Sequence, residues 1–189
     1  MKTKRLFPLL ATAWLLAGCQ LPQATPPPGS SLSTRNNCYS LLHQLLDEQK
    51  DVSILRFFKR EDSDVKVLTK TIAAASGAGA KLLEDYARHD HSIRLDDISL
   101  PPGEVATREA IASTKKKNLL SQKDGAFELD LLLSQSEALS YGWHLAQVAE
   151  ENEPDPERGR AVTALSKEME RLYQEVYLLL QSRQEGSAK

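Results

Sequence analysis

The chain has little of what most often carries chemistry. Its 189 residues include two cysteines, Cys19 and Cys38, and four histidines, His43, His89, His91 and His144. Two cysteines are too few for a cysteine-ligated metal cluster. No two histidines stand four apart, so the His-x-x-x-His zinc pattern is missing. The Glu-x-x-His motif that builds a di-metal centre inside a helical bundle is missing as well. No serine sits in Gly-x-Ser-x-Gly, and Gly77-Ala78-Gly79 lacks the lysine and preceding strand of a phosphate loop. Charge is nearly balanced, with 24 basic and 26 acidic residues. Without a basic excess to neutralise phosphates, nucleic-acid binding is set aside. β-branched residues seldom fall in series, and Leu, Ala, Glu, Lys, Gln and Ser dominate. That is helical composition.

What is present begins at the amino terminus. Lys2, Lys4 and Arg5 lead into the apolar run Leu6–Leu16, which closes on Ala17-Gly18-Cys19. A cationic start, a short apolar segment and small residues before a break read as a secretory signal, since spanning a bilayer takes about 20 apolar residues. Leu16-Ala17-Gly18-Cys19 resembles the lipobox of bacterial lipoproteins. The resemblance implies that Cys19 is acylated and becomes the mature amino terminus. Several acyl chains on one residue tether durably, each buried methylene contributing ~0.8 kcal/mol. Gln20, rather than Asp, follows the cysteine, which implies the outer membrane with the protein facing the periplasm. Loss of Lys2, Lys4 and Arg5 with the signal takes the net charge from −2 to −5.

The stretch Gln20–Thr34 is rich in Pro and Ser and has no apolar periodicity. It cannot bury enough surface to offset its ordering entropy. Pro26-Pro27-Pro28 favours an extended form at roughly 3.1 Å per residue, giving a spacer of roughly 50 Å. The expected organisation is therefore residues 1–18 signal peptide, 19–35 acylated cysteine and linker, 36–183 helical domain, and 184–189 disordered tail.

Apolar residues three and four apart predict four helical stretches in that domain. The first, about Asn36 to Lys59, carries Cys38, Leu41, Leu42, Leu45, Leu46, Val52, Leu55 and Phe58. The second, capped by Asp62, Ser63 or Asp64, aligns Val65, Leu68, Ile72, Ala75, Gly79, Leu82 and Tyr86. The third runs from about Glu104 to Asn152, broken near Lys123-Asp124-Gly125, and its later half presents Phe127, Leu131, Leu132, Ala138, Leu139, Gly142, Leu145, Ala146 and Ala149. The fourth, from Asp155-Pro156 to about Arg183, steps through Val162, Leu165, Met169, Leu172, Val176 and Leu179. Four amphipathic helices can hide such stripes only against one another, as an all-α four-helix bundle. The small residues of Ile72–Ala80, with Ala138, Gly142 and Ala146, predict close helix–helix approach, although Gly77 and Gly79 each cost ~1 kcal/mol in a helix.

At Val65-Lys66, Leu100-Pro101, Gly125-Ala126-Phe127-Glu128 and Asp155-Pro156, the chain resembles a bacterial family of unknown function assigned to the ferritin-like four-helix bundles. The match spans nearly the whole mature domain. It implies a ferritin-like up-down arrangement. It does not carry the family's site: Asp-His pairs recur in that family's second and third helices, and the corresponding places here are Ala75-Ser76 and Ala138-Leu139.

The remaining polar residues offer a short set of candidates. Asp85, His89, His91 and His144 are the candidate metal ligands; Asp85 and His89, with Asp90, Asp96 and Asp97, read first as a solvated helix end. Glu137 precedes His144 on one face, and Glu168 and Glu175 repeat that spacing as flanks of the last stripe. Cys38 reads as a buried apolar residue, the alternative being a disulfide to another chain. Lys115-Lys116-Lys117 reads as a hydrated face that is also able to meet anionic headgroups. Trp143 beside Tyr141 reads as packing rather than a ligand platform. The leading expectation is a non-enzymatic envelope lipoprotein with no cofactor, anchored to the membrane through Cys19 and binding another envelope protein. A degenerate ferritin-like metal or redox protein and a pilotin-like chaperone for an outer-membrane protein are the alternatives.

Overall fold

A computed structural model describes residues 30–52, 62–122 and 124–187. The expected signal peptide, Cys19 and most of the spacer lie outside these residues, as do Leu55 and Phe58. The described residues form five helices and no strand: α1 Ser30–Gln49, α2 Ser63–His89, α3 Pro102–Ser121, α4 Asp124–Glu151 and α5 Pro156–Ser187. None is long and apolar enough to cross a membrane.

Local chemistry sets several boundaries. Asp155 Oδ1 accepts the Glu157 and Arg158 amides at 2.8 and 3.0 Å, and Pro156 follows it at the first helical position. A side-chain cap with proline behind it is a strong helix start. Pro102 likewise takes the first helical position of α3, there without a side-chain cap. Asp64 lies in the first turn of α2, and Arg88 and His89 in its last, which suits the helix dipole at both ends.

The helices pack α1 on α2 and α4, and α5 on α4 and α2, with α3 chiefly against α4. Neighbours run antiparallel. Tyr39 near the start of α1 meets Glu153 just past α4, and Asp64 at the start of α2 meets Arg183 near the end of α5. Consequently α2 and α4 point the same way, and α3 carries the chain back along the outside between them. α3 itself is antiparallel to α4, Arg108 meeting Tyr141 and Lys115 meeting Glu137.

The core is mostly hydrocarbon, contributed by α1, α2, α4 and α5. Leu42, Leu46, Ile72, Leu83, Leu131, Leu132, Leu139, Val162, Leu172 and Val176 are all at most 1% exposed. Each such side chain contributes ~1.5–3 kcal/mol by leaving water. The expected stripes appear with small rotations: Leu83 rather than Leu82 is fully buried on α2, and Leu180 is deeper than Leu179 on α5. The small residues do bring helices close. A methyl group on Gly79 would come within 2.9 Å of Leu165 and 3.0 Å of Leu46. One on Gly142 would overlap Met169 and reach 2.8 Å from Leu45.

Two boundaries differ from expectation. Helix α1 begins at Ser30, so residues 30–35 are helix where a linker was expected. Past the three prolines nothing forbids the turn, and the burial of Arg35 draws it into the fold. Helix α5 continues to Ser187, into the stretch expected to be a disordered tail, because Gln184 and Glu185 are good helix formers with no proline after them. The long third stretch is broken where expected, into α3 and α4, with α4 beginning at Asp124.

Candidate functional site

The residues singled out from sequence do not converge. Asp85 pairs with Arg88 one turn on, along the exposed flank of α2. His89 is exposed, its Nδ1 2.6 Å from the Asp85 carbonyl oxygen, and His91 is exposed beyond it. His144 is exposed on α4, its Nδ1 2.7 Å from the Ser140 carbonyl. Each of these imidazoles is thus bonded to the preceding turn of its own helix or left to solvent. Among the described residues, no three His, Cys, Asp or Glu side chains lie together as a cation would need. Glu137 is paired with Lys115, and Arg171 holds both Glu168 and Glu175. Cys38 is free and 6% exposed, its thiol pushed up by burial and so the less reactive. Half-buried Trp143 packs toward Tyr173, with ring centroids 6.3 Å apart. Ala75 and Ala138 are half-buried, while Ser76 and Leu139 are buried, so the places of the resembled family's Asp-His pairs present small or aliphatic side chains.

The densest polar chemistry lies elsewhere, at the end of the molecule where α1 starts. The Glu153 carboxylate, on the α4–α5 turn, is 0% exposed. Its Oε2 accepts from the Tyr39 hydroxyl at 2.7 Å. Its Oε1 accepts from Arg158 Nη2 at 2.8 Å and from the Asp155 amide at 3.0 Å, with Arg35 Nη1 3.9 Å away. Arg158 also reaches Asp90 at 3.1 Å. Arg35, 1% exposed, donates onward to the Ser92 carbonyl at 2.8 Å.

Neighbouring α1 side chains extend this lock along the α2–α3 connection. Asn36 Nδ2 donates to the Ser92 carbonyl at 2.9 Å and Asn37 Nδ2 to the Asp97 carbonyl at 3.0 Å. Ser40 Oγ donates to the Arg94 carbonyl and accepts the Asp97 amide, both at 3.0 Å. The loop therefore follows a template set by one face of α1. Its backbone finds in side chains the partners that a helix or sheet would otherwise supply.

Electrostatics identifies what this cluster does. Burial alone would raise the Glu153 carboxyl, but hydrogen bonds from Arg158, the Asp155 amide and Tyr39 outweigh it and hold the group below the usual range. Burial, and then the bond to Glu153, push the Tyr39 phenol above its ordinary value. A carboxylate that is fully bonded, walled from solvent and firmly ionised is badly placed to exchange protons with a substrate. The arrangement joins α1, the α2–α3 loop and the α4–α5 turn. It is structural.

None of Arg35, Tyr39, Glu153 and Arg158 was picked out from sequence. A signal existed for two of them: Arg35, Tyr39, Leu42 and Leu46 step by four, three and four, which extends the α1 stripe back into the presumed linker. Glu153 beside Pro154 carries no such mark, because its burial is decided by α1 and by Arg158.

A shallow groove of about 610 Å³ runs between α2 and α5, floored by Leu68 and Leu179. Val67 and Leu178 on its walls are 65% and 63% exposed. No protein-family model, curated protein or solved structure matches the chain.

Proposed function

We propose that this protein is a lipoprotein of the bacterial envelope, tethered through Cys19 at the periplasmic face of the outer membrane. Its helical domain acts without catalysis, as a structural or interaction module. The observation that carries the reading is the pairing of a lipobox-like Leu16-Ala17-Gly18-Cys19 with a domain whose buried ionic cluster around Glu153 is spent on joining its own helices. Apolar side chains left in the open support an interacting role, since contiguous exposed apolar surface marks contact sites. Val67 and Leu178 on the α2–α5 groove are the clearest.

The ferritin-like part of the reading rests on the resemblance at Val65-Lys66, Leu100-Pro101, Gly125–Glu128 and Asp155-Pro156. The helix order supports it: α1, α2, α4 and α5 pair with antiparallel neighbours, and α3 serves as the crossover. The fold would then be kept while the site is given up, Ala75-Ser76 and Ala138-Leu139 standing where the metal-binding pairs would be.

Two experiments test this. Crosslinking in intact envelopes, followed by pull-down, is expected to return one reproducible protein partner. Measurable turnover by the purified chain, with no partner recovered, contradicts the reading. Cys19→Ser is expected to move the protein out of the membrane fraction, and unchanged sedimentation with membranes removes the anchor.

A further inference from the structure

Helix α3 stands apart from the other four. Leu119 is its single buried residue, and polar pairs on the outer surface hold much of its length: Arg108 to Tyr141, Lys115 to Glu137 and Gln122 to Asp130. Beneath its first half, between α3, α1 and the end of the clamped loop, lies a cleft of about 500 Å³. That is within the range that takes a small ligand or a few side chains of a peptide.

The walls are chiefly apolar: Leu41 and Leu45 from α1, Leu100 from the loop, Val105 and Ala112 from α3, and the Tyr141 ring from α4. The charged lining is unequal. Arg108 is already engaged, its Nε 2.7 Å from Glu104 and its Nη1 2.9 Å from the Tyr141 hydroxyl. Glu48 and Glu109 have no such partner. Among the described residues neither forms an ion pair, and the bond Glu48 accepts comes from the uncharged Gln44 amide at 3.3 Å, which leaves its charge uncompensated. The cleft is thus an oily slot with surplus negative charge on opposite walls, one carboxylate on α1 and the other on α3.

The geometry points to this cleft as a binding site for a peptide segment of a partner protein, apolar in its middle and flanked by lysine or arginine. The apolar residues fill the slot, and the flanking cations neutralise Glu48 and Glu109. The inference rests on the interaction reading above and assigns it a place and a ligand chemistry. Because α3 has so little buried surface, it can shift to admit the segment without disturbing the packing of α1, α2, α4 and α5.

The test uses the full chain in zwitterionic nanodiscs, with empty nanodiscs as the blank, titrated with the capped peptide Lys-Leu-Phe-Leu-Lys and its counterpart Glu-Leu-Phe-Leu-Glu. Saturable binding of the lysine peptide alone is expected. The Glu48→Gln/Glu109→Gln variant should weaken it about tenfold, because close opposite charges across an interface both attract and select. Ala112→Phe, which fills the slot from an exposed position on α3, should abolish binding while the helical circular dichroism and Tm stay at wild-type values. Equal binding of the two peptides, no binding of either, or full binding by Ala112→Phe overturns the inference. Partner capture by crosslinking that survives Ala112→Phe would overturn this site while leaving the interaction reading intact. Loss of all capture in the wild-type chain would remove that reading itself.

Discussion

The end of the molecule around Glu153 and the outlying helix α3 hold their charges in opposite ways. At the first, a carboxylate at 0% exposure accepts from a phenol at 0% and sits 3.9 Å from a guanidinium at 1%, which itself donates to the Ser92 carbonyl, all in the dry interior. On α3 the ion pairs lie in solvent, with Arg108 and Glu104 at 40% and 46% exposure. The number of charges is similar, but the energetic meaning is not. Exposed pairs contribute ~0–1 kcal/mol, whereas removing one partner of a buried pair strands the other and costs ~3–5 kcal/mol. One region locks three segments together, and the other is held by little beyond Leu119 and exposed polar pairs.

Breaking the lock has the largest expected effect. Glu153→Ala leaves Arg35 and Arg158 without their shared carboxylate and should cost ~3–5 kcal/mol in urea unfolding. That is a large part of the ~5–15 kcal/mol typical of a domain. Replacing the buried pair together, as Arg35→Met with Glu153→Leu, should recover much of the loss, since matched hydrocarbon can substitute for a buried ion pair.

Overfilling a close helix contact comes next. Gly142→Leu forces a side chain against Met169 and Leu45 and should cost ~1–3 kcal/mol or more in the same measurement. Gly142→Ala should cost less, because the ~1 kcal/mol gain in helix propensity offsets part of the clash and the Met169 methyl can swing aside.

The lock also has a definite pH dependence. The folded Glu153 carboxyl lies below its unfolded value of about 4.5, so its contribution is complete above that pH and fades as the pH falls through the folded value. The difference in urea midpoint between wild type and Glu153→Gln should be flat near neutrality and shrink below about pH 4.5. Tyr39 acts with the opposite sense. Its raised folded value means that stability is complete below pH 10, the unfolded value, and is lost as the pH rises further.

The smallest effects belong to α3 and the open surface. Lys115→Ala should change stability by less than ~1 kcal/mol. Leu119→Ala is expected to release α3 locally, raising amide exchange across residues 102–121 while α4 and α5 keep their protection. Equal loss of protection in all three would mean that α3 belongs to the core.

The contrast between these regions also explains which parts of the fold were legible in the sequence. The stripes of α2, α4 and α5 follow period 3.6 because burial there is one-sided, and a one-sided constraint writes itself into spacing. Asp155-Pro156 marks a helix start through purely local chemistry. The start of α1 was hidden because residues 30–35 have linker composition, and their helix is held from outside by contacts that Arg35 makes with Ser92 and Glu153. The break between α3 and α4 was legible at Lys123-Asp124-Gly125, although so little of α3 is buried that its own periodicity carries almost no information. The lock was invisible for a related reason: its members are 118 residues apart from Arg35 to Glu153, and no local pattern announces a partner at that distance.

Native-state hydrogen exchange on the purified chain tests this division most directly. Amides of residues 38–46 in α1 should exchange only through global unfolding, while those of α3 exchange through a local opening several kcal/mol lower. Glu153→Ala should bring the α1 amides down toward the α3 values. If α3 is as protected as α1 in the wild type, or if Glu153→Ala leaves the α1 amides unchanged, the molecule is not divided into a locked end and a movable helix.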